Sequence, residues 1–216
     1  IAEFEHLLAV EPDHPQTRAN LVAVLANDGE RLAAGGDLDA AKAVVARALA
    51  LADVGESPQA VAARCEILTQ ASDLAMRRGE PELARTHVER AAADGRALLA
   101  RRDDATAREV LLQVELQRGQ VLSAIDGPES ALRIWADVLP LAEPLQSTHG
   151  RRLHALLRLR LAAITPDEQR DEARAHFAAA IALGARPDQF VSLPTVHALF
   201  SAPAFADLLP EPTDGR

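Results

Sequence analysis

The sequence predicts an all-α protein built as a stack of antiparallel helical hairpins, and three observations carry that prediction. Apolar residues recur at spacings of three and four through segments of roughly 15–22 residues, the period of one helix face. Gly and Pro interrupt these segments at regular intervals, and no stretch alternates with a period of two for long enough to make a strand. Hydrophobic residues make up 48% of the chain, yet aromatic residues are only 3% and Tyr is absent. A core so poor in rings is made of Ala, Leu, Val and Ile, and Ala lets helix axes approach closely while favouring the helix itself. At 216 residues the chain is long enough for one continuous array.

The elements follow from the stops between them. Pro58, Pro81, Pro128 and Pro166 stand where a first helical turn tolerates proline, after Ser57, Glu80, Gly127 and Thr165. Thr165 and Glu168 read as a capping box, and Asp13 with Gln16, and Asp37 before Leu38, are weaker forms of the same signal. These marks predict a leading half-hairpin at 1–12 and hairpins at about 14–53, 57–102, 104–143 and 147–184. Together they form an array over 1–188. The character of the chain changes after Gly184, where Phe190, Phe200 and Phe205 gather among Pro187, Pro194, Pro203 and Pro210. A terminal hairpin has an apolar flank to cover. Residues 189–216 are therefore expected to cap it with two short helices, about 195–201 and 204–209, before a frayed tail at 210–216.

An internal repeat underlies the array. Gly36, Ala41, Val45 and Ala48 are matched in spacing by Gly79, Ala84, Val88 and Ala91. Further copies are Ala131, Trp135 and Val138, then Ala173, Phe177 and Ala180. The anchoring alanines lie 43, 47 and 42 residues apart. This pattern of small, large and small residues resembles the second helix of the tetratricopeptide repeat. Leu68, Ala71, Ser72 and Ala75 before Gly79 resemble its first helix, as in part do Leu25, Gly29 and Leu32, and Gly119 with Leu122. The usual repeat is shorter, about 34 residues, so the helices or loops here are expected to be longer.

Side chains that carry chemistry are present without the spacing chemistry needs. None of the seven histidines forms the i, i+4 pair with an intervening Glu of a helical zinc site, and His149 and His154 are five apart. Cys65 has no neighbouring His and reads as a small buried residue rather than a nucleophile. No glycine-rich phosphate loop or nucleophile elbow occurs. Asp103, Asp104, Asp167 and Glu168 stand at expected helix starts, where a negative charge complements the helix dipole. The sequence therefore predicts no catalytic residue, metal site or cofactor. Trp135 fills the large slot of its repeat and reads as core. Arg151, Arg152, Arg158 and Arg160, with His154 among them, and the smaller Arg101 and Arg102 pair, read as solvated or salt-bridged helix faces. The sharper alternative is a contact for acidic groups.

The formal charge of −9 argues against non-specific nucleic-acid binding, which needs a basic footprint. No apolar run has the length of a bilayer span, so no membrane partner is expected. A single cysteine suits a reducing, cytoplasmic setting. One Lys, Lys42, against 22 Arg points to a GC-rich bacterial source. The chain opens at Ile1 within a helical pattern and shows no signal peptide there, so it is expected to be a segment of a longer protein.

The resemblance implies that first helices line a concave face that binds a protein or peptide. Carried over position by position, that face holds Asn27 and Glu30, then Gln70, Asp73 and Arg77, then Gln113, Gln117 and Gln120, and finally Arg158. The Lys and Asn pairs with which the family clamps chaperone tails are not reproduced. The expected function is an interaction scaffold, a segment of a larger bacterial regulator or effector. The alternative is a non-catalytic segment that presents substrate to a catalytic domain upstream.

Overall fold

The computed structural model of the chain describes residues 14–209, together with Glu3, His6 and Val10, which lie in helical backbone. The expected half-hairpin at 1–12 and the tail at 210–216 otherwise fall outside the described residues. Among the described residues no strand occurs. From residue 14 onward the helices are α1 (Pro15–Ala34), α2 (Leu38–Ala52), α3 (Pro58–Arg77), α4 (Pro81–Arg101), α5 (Ala105–Asp126), α6 (Pro128–Ala142), α7 (Thr148–Ile164), α8 (Arg170–Ala182) and α9 (Pro194–Leu199). Tighter 3-10 turns occupy Asp167–Gln169, Pro187–Phe190 and Pro203–Leu208.

Local chemistry sets where the helices begin. Side chains of Asp37, Ser57, Asp104 and Ser147 each accept a backbone N–H three residues on, as an N-cap does. His14 does the same for α1 through Nδ1, at 3.2 Å from the Thr17 nitrogen, whereas Asp13 lies outside the described residues. Pro58, Pro81 and Pro128 open α3, α4 and α6 as the sequence predicts. Thr165 does not. Its Oγ1 donates to Leu161 O at 2.7 Å, so it closes α7 instead of forming a capping box with Glu168. Pro166 forces its predecessor out of the helical region, Thr165 adopts ψ 127°, and α8 starts only at Arg170.

The chain divides into two compact units, Ile1–Gly127 and Pro128–Arg216. The division falls between the two helices of the expected third hairpin. In the first unit α1 pairs with α2 and α3 with α4. Both turns use the same device: Gly36 at φ +85° and Gly79 at φ +72° reverse the chain in a conformation that side chains resist. The next N–H, of Asp37 or Glu80, then reaches back to Leu32 O or Ala75 O. Helix α3 also packs on α1, α2 and α5, while α5 packs on α4. The first helices α1, α3 and α5 thus form one layer. On one side of it, α2 covers α1 and α3, and α4 covers α3 and α5.

Every position of the small-large-small pattern is buried: Ala41, Ala84, Ala131 and Ala173; Val45, Val88, Trp135 and Phe177; Ala48, Ala91, Val138 and Ala180. Small residues set the helix spacing as well. A Cβ on Gly29 would stand 2.9 Å from Val45 Cγ2, so α1 and α2 approach closer than an alanine permits.

In the second unit α7 packs against α6 and α8, and the C-terminal segment returns onto the hairpin, α9 on α7 and the turn at 203–208 on α8. Phe177 stands 4.7 Å from Phe205 and 5.4 Å from Phe200, centroid to centroid, in tilted and edge-on contacts. Arg174 ties the turn down by donating to Ala204 O and Asp207. Of the two short capping helices expected, the first is α9 and the second, at Pro203–Leu208, is a 3-10 helix. It starts on Pro203 and ends at an extended Leu209. Among the described residues no helix is long and apolar enough to cross a membrane.

Candidate partner-binding face

Helices α2 and α4 cover one side of the α1, α3 and α5 layer and leave the other open. Asn27 and Glu30 of α1, Arg77 of α3, and Gln113 and Gln120 of α5 are exposed there, with Gln70, Asp73 and Gln117 half-buried among them. Bonds join some of these positions. Gln70 Nε2 donates to Glu30 Oε1 at 3.1 Å, linking α3 to α1, and Arg77 pairs with Asp73 at 2.9 Å along α3. A carboxylate only accepts, so the Gln70 amide must present nitrogen to Glu30, which leaves its Oε1 buried without a partner. Asp28, one residue from this stripe, pairs with Arg31 instead.

Glu66 belongs to the same face and was missed. It lies on α3 one turn before Gln70, and although its side chain reaches solvent, partial desolvation against the neighbouring helix, then the nearby Glu30, push its carboxyl above the usual range. The signal was available in the run 66, 70, 73, 77, which follows one helical stripe. A cavity of about 490 Å³ opens between the starts of α1 and α3 and the end of α2, lined by Gln16, Val22, Leu51, Val54 and Gln59 among others. None of the positions expected to meet a partner lines it.

Arg158 belongs to the second unit and lies on α7. Its Nε lies 3.3 Å from His154 Nε2, its Nη1 3.2 Å from His176 Nδ1 on α8, and its Nη2 3.9 Å from Glu143. Arg160 points elsewhere, stacked over Trp135 at 5.6 Å, while Arg151 and Arg152 are exposed. The arginine-rich segment is therefore divided among different sides of one helix. Arg101 pairs with Glu56 at 3.3 Å, and Arg102 with the capping Asp104.

Charged groups between layers were also invisible in the sequence. Arg64, 6% exposed, donates to Asp94 at 2.8 Å and to Gly55 O at 3.3 Å. Glu115, 1% exposed, is held between Arg96 and Arg118, and Arg118 reaches Glu89 at 3.0 Å. These groups join neighbouring helices to each other. Cys65 is buried with its Sγ 3.6 Å from Ala91 O, and burial pushes the thiol up to about 12, which keeps it protonated. Among the described residues no three His, Cys, Asp or Glu side chains are placed to hold a metal ion.

No protein-family model matches the sequence, and no curated protein matches it. Among solved structures, the fold is similar to the crystal structure of BtubC (BKLC) from P. vanneervenii. The TM-score is 0.69 at 16% sequence identity, over 96% of this chain and 81% of that one. At that identity the likeness concerns the fold.

Proposed function

We propose that the chain is a non-catalytic interaction scaffold of the tetratricopeptide-like kind. In this reading a protein or peptide segment binds along the open side of the α1, α3 and α5 layer. One observation carries it. Three neighbouring helices in one compact unit bury their small and aliphatic residues against α2 and α4, and turn a stripe of amide and charged side chains outward. Stacked hairpins give such a layer an extended surface suited to a chain-like partner. Gln113, Gln117 and the Gln70–Glu30 pair supply donors and acceptors for backbone and polar groups. We read the protein as bacterial and cytoplasmic, on its arginine usage and single buried cysteine.

Affinity needs apolar anchors as well as polar contacts, and this stripe offers few. The expected interaction is salt-sensitive and of about micromolar strength. The test is recovery of a partner on the immobilised chain, followed by titration against a variant with Asn27, Gln70, Gln113 and Gln117 changed to Ala. Binding weakened at least about tenfold, about 1.4 kcal/mol, with an unchanged circular dichroism spectrum supports the face. A folded variant that binds as tightly as the parent overturns it.

A further inference from the structure

We propose that Arg158, His154 and His176 form an acid-sensitive latch between α7 and α8, closed only while both imidazoles are neutral. The argument rests on what each group can donate. A guanidinium has five N–H donors and no acceptor, so both ring nitrogens facing it must accept. His154 Nε2, at 3.3 Å from Arg158 Nε, therefore carries no proton, and its hydrogen sits on Nδ1. His176 Nδ1, at 3.2 Å from Nη1, likewise accepts, which places its proton on Nε2, facing Glu172 Oε1 at 3.9 Å. A proton added to either accepting nitrogen sets donor against donor and cation against cation.

The surroundings do not rescue the charged form. His154 and the side chains of His176 and Arg158 are 7, 12 and 19% exposed, so water screens them weakly. The carboxylates nearby are Glu143, which follows α6, and Glu172 of α8, 63 and 59% exposed and each 3.9 Å from its partner. Helix α9, packed on α7, carries His197 as its titratable group, and that ring lies against Pro187 O. Burial first, then Arg158, hold both imidazoles below their ordinary range, against the opposing pull of Glu143 on His154 and Glu172 on His176.

The direction of the effect follows from linkage. Where the folded value lies below the unfolded one, near 6.5, the unfolded chain binds more protons in acid. Stability is complete above about pH 6.5 and falls as pH drops towards the folded values, by up to about tenfold in the unfolding equilibrium per ring and pH unit. His87 of the first unit, also held low by burial and Arg90, adds to global unfolding, so the latch must be read locally. The latch holds whether or not Arg158 touches a partner.

The experiment uses the full chain. Ring resonances of His154 and His176 are titrated by NMR, and amide exchange over 148–182 is followed from pH 7.5 to 5. Both rings are expected to titrate below the ordinary value and to move up in Arg158→Gln, with local opening of α7 and α8, read as the exchange rate over the intrinsic amide rate at each pH, rising at least about tenfold on acidification. In a second variant, His154→Gln with His176→Gln, the side chains still accept but no longer titrate, and the acid-induced rise is expected to vanish. Rings that titrate normally in the parent, or that Arg158→Gln does not move, overturn the latch. So does an acid response that survives in the double glutamine variant.

Discussion

The two units fill the same slot of the same repeat in different ways. In the first, the large position holds Val45 and Val88, and no described residue is aromatic. Its helices are joined by charge, across layers through Arg64 to Asp94, Arg78 to Asp39 and Arg118 to Glu89, and within the covering layer through Arg90 to Asp53. In the second unit the slot holds Trp135 and Phe177, and Phe190, Phe200 and Phe205 gather near the latter. A valine buries less than a ring and leaves the pairing of helices less specified, whereas a ring cluster concentrates burial at one place. The stability of the first unit is therefore spread over many modest contacts, and that of the second is focused on Phe177.

The strongest way to break this comparison is to truncate the slot in each unit. Phe177→Ala removes a fully buried ring in contact with two others and is expected to cost about 4 kcal/mol. Val88→Ala, at the equivalent fully buried position, is expected to cost about 2 kcal/mol. Denaturant unfolding, followed by Trp135 fluorescence for the second unit and by amide exchange for the first, measures both. Equal losses would mean that the ring cluster is no more focused than the aliphatic core.

Much of this architecture was legible because it depends on short-range pattern. Asp37, Ser57 and Asp104 cap by reaching three residues along the chain, and Gly36 and Gly79 turn it by their own freedom at φ. The alanines and large residues of the repeat are all buried because their spacing matches one helix face. Thr165 failed for a local reason that outranked the capping pattern, the restriction imposed by Pro166. What stayed hidden was contact between distant residues. Nothing near Arg64 in sequence announces Asp94, thirty positions away, and Arg158 read as a surface charge because His176 lies on the next helix. The candidate face was legible as a stripe of positions, but the bond between Gln70 and Glu30 and the neighbouring Glu66 needed the layer to be assembled.

Arg64 sharpens the contrast at the next level of effect. Its side chain is 7% exposed, and removing it leaves Asp94, 22% exposed, without its guanidinium. Arg64→Ala is expected to cost about 3 kcal/mol, part lost stem packing and part an uncompensated carboxylate. Arg64→Met retains the stem, so the difference between the two variants isolates packing. If Arg64→Met is as stable as the parent, the pair contributes register rather than stability, and the first unit rests on its aliphatic core alone.

The smallest expected effect comes from an exposed pair and defines the other end of the scale. Arg90 and Asp53 meet at 2.5 Å between α4 and the loop after α2, with side chains 45 and 39% exposed. Water competes for both groups, and holding two flexible side chains in one geometry costs entropy that the weakened Coulomb attraction barely offsets. Arg90→Ala is therefore expected to lower stability by less than about 1 kcal/mol, and the loss should shrink further as salt approaches 1 M, where the screening length falls to about 3 Å. A double-mutant cycle with Asp53→Ala, run at low and high salt, separates the pair from the loss of the arginine stem. A coupling that exceeded the Arg64 effect, or that ignored salt, would place the main fastening of the first unit on its surface rather than in the buried contacts between its layers.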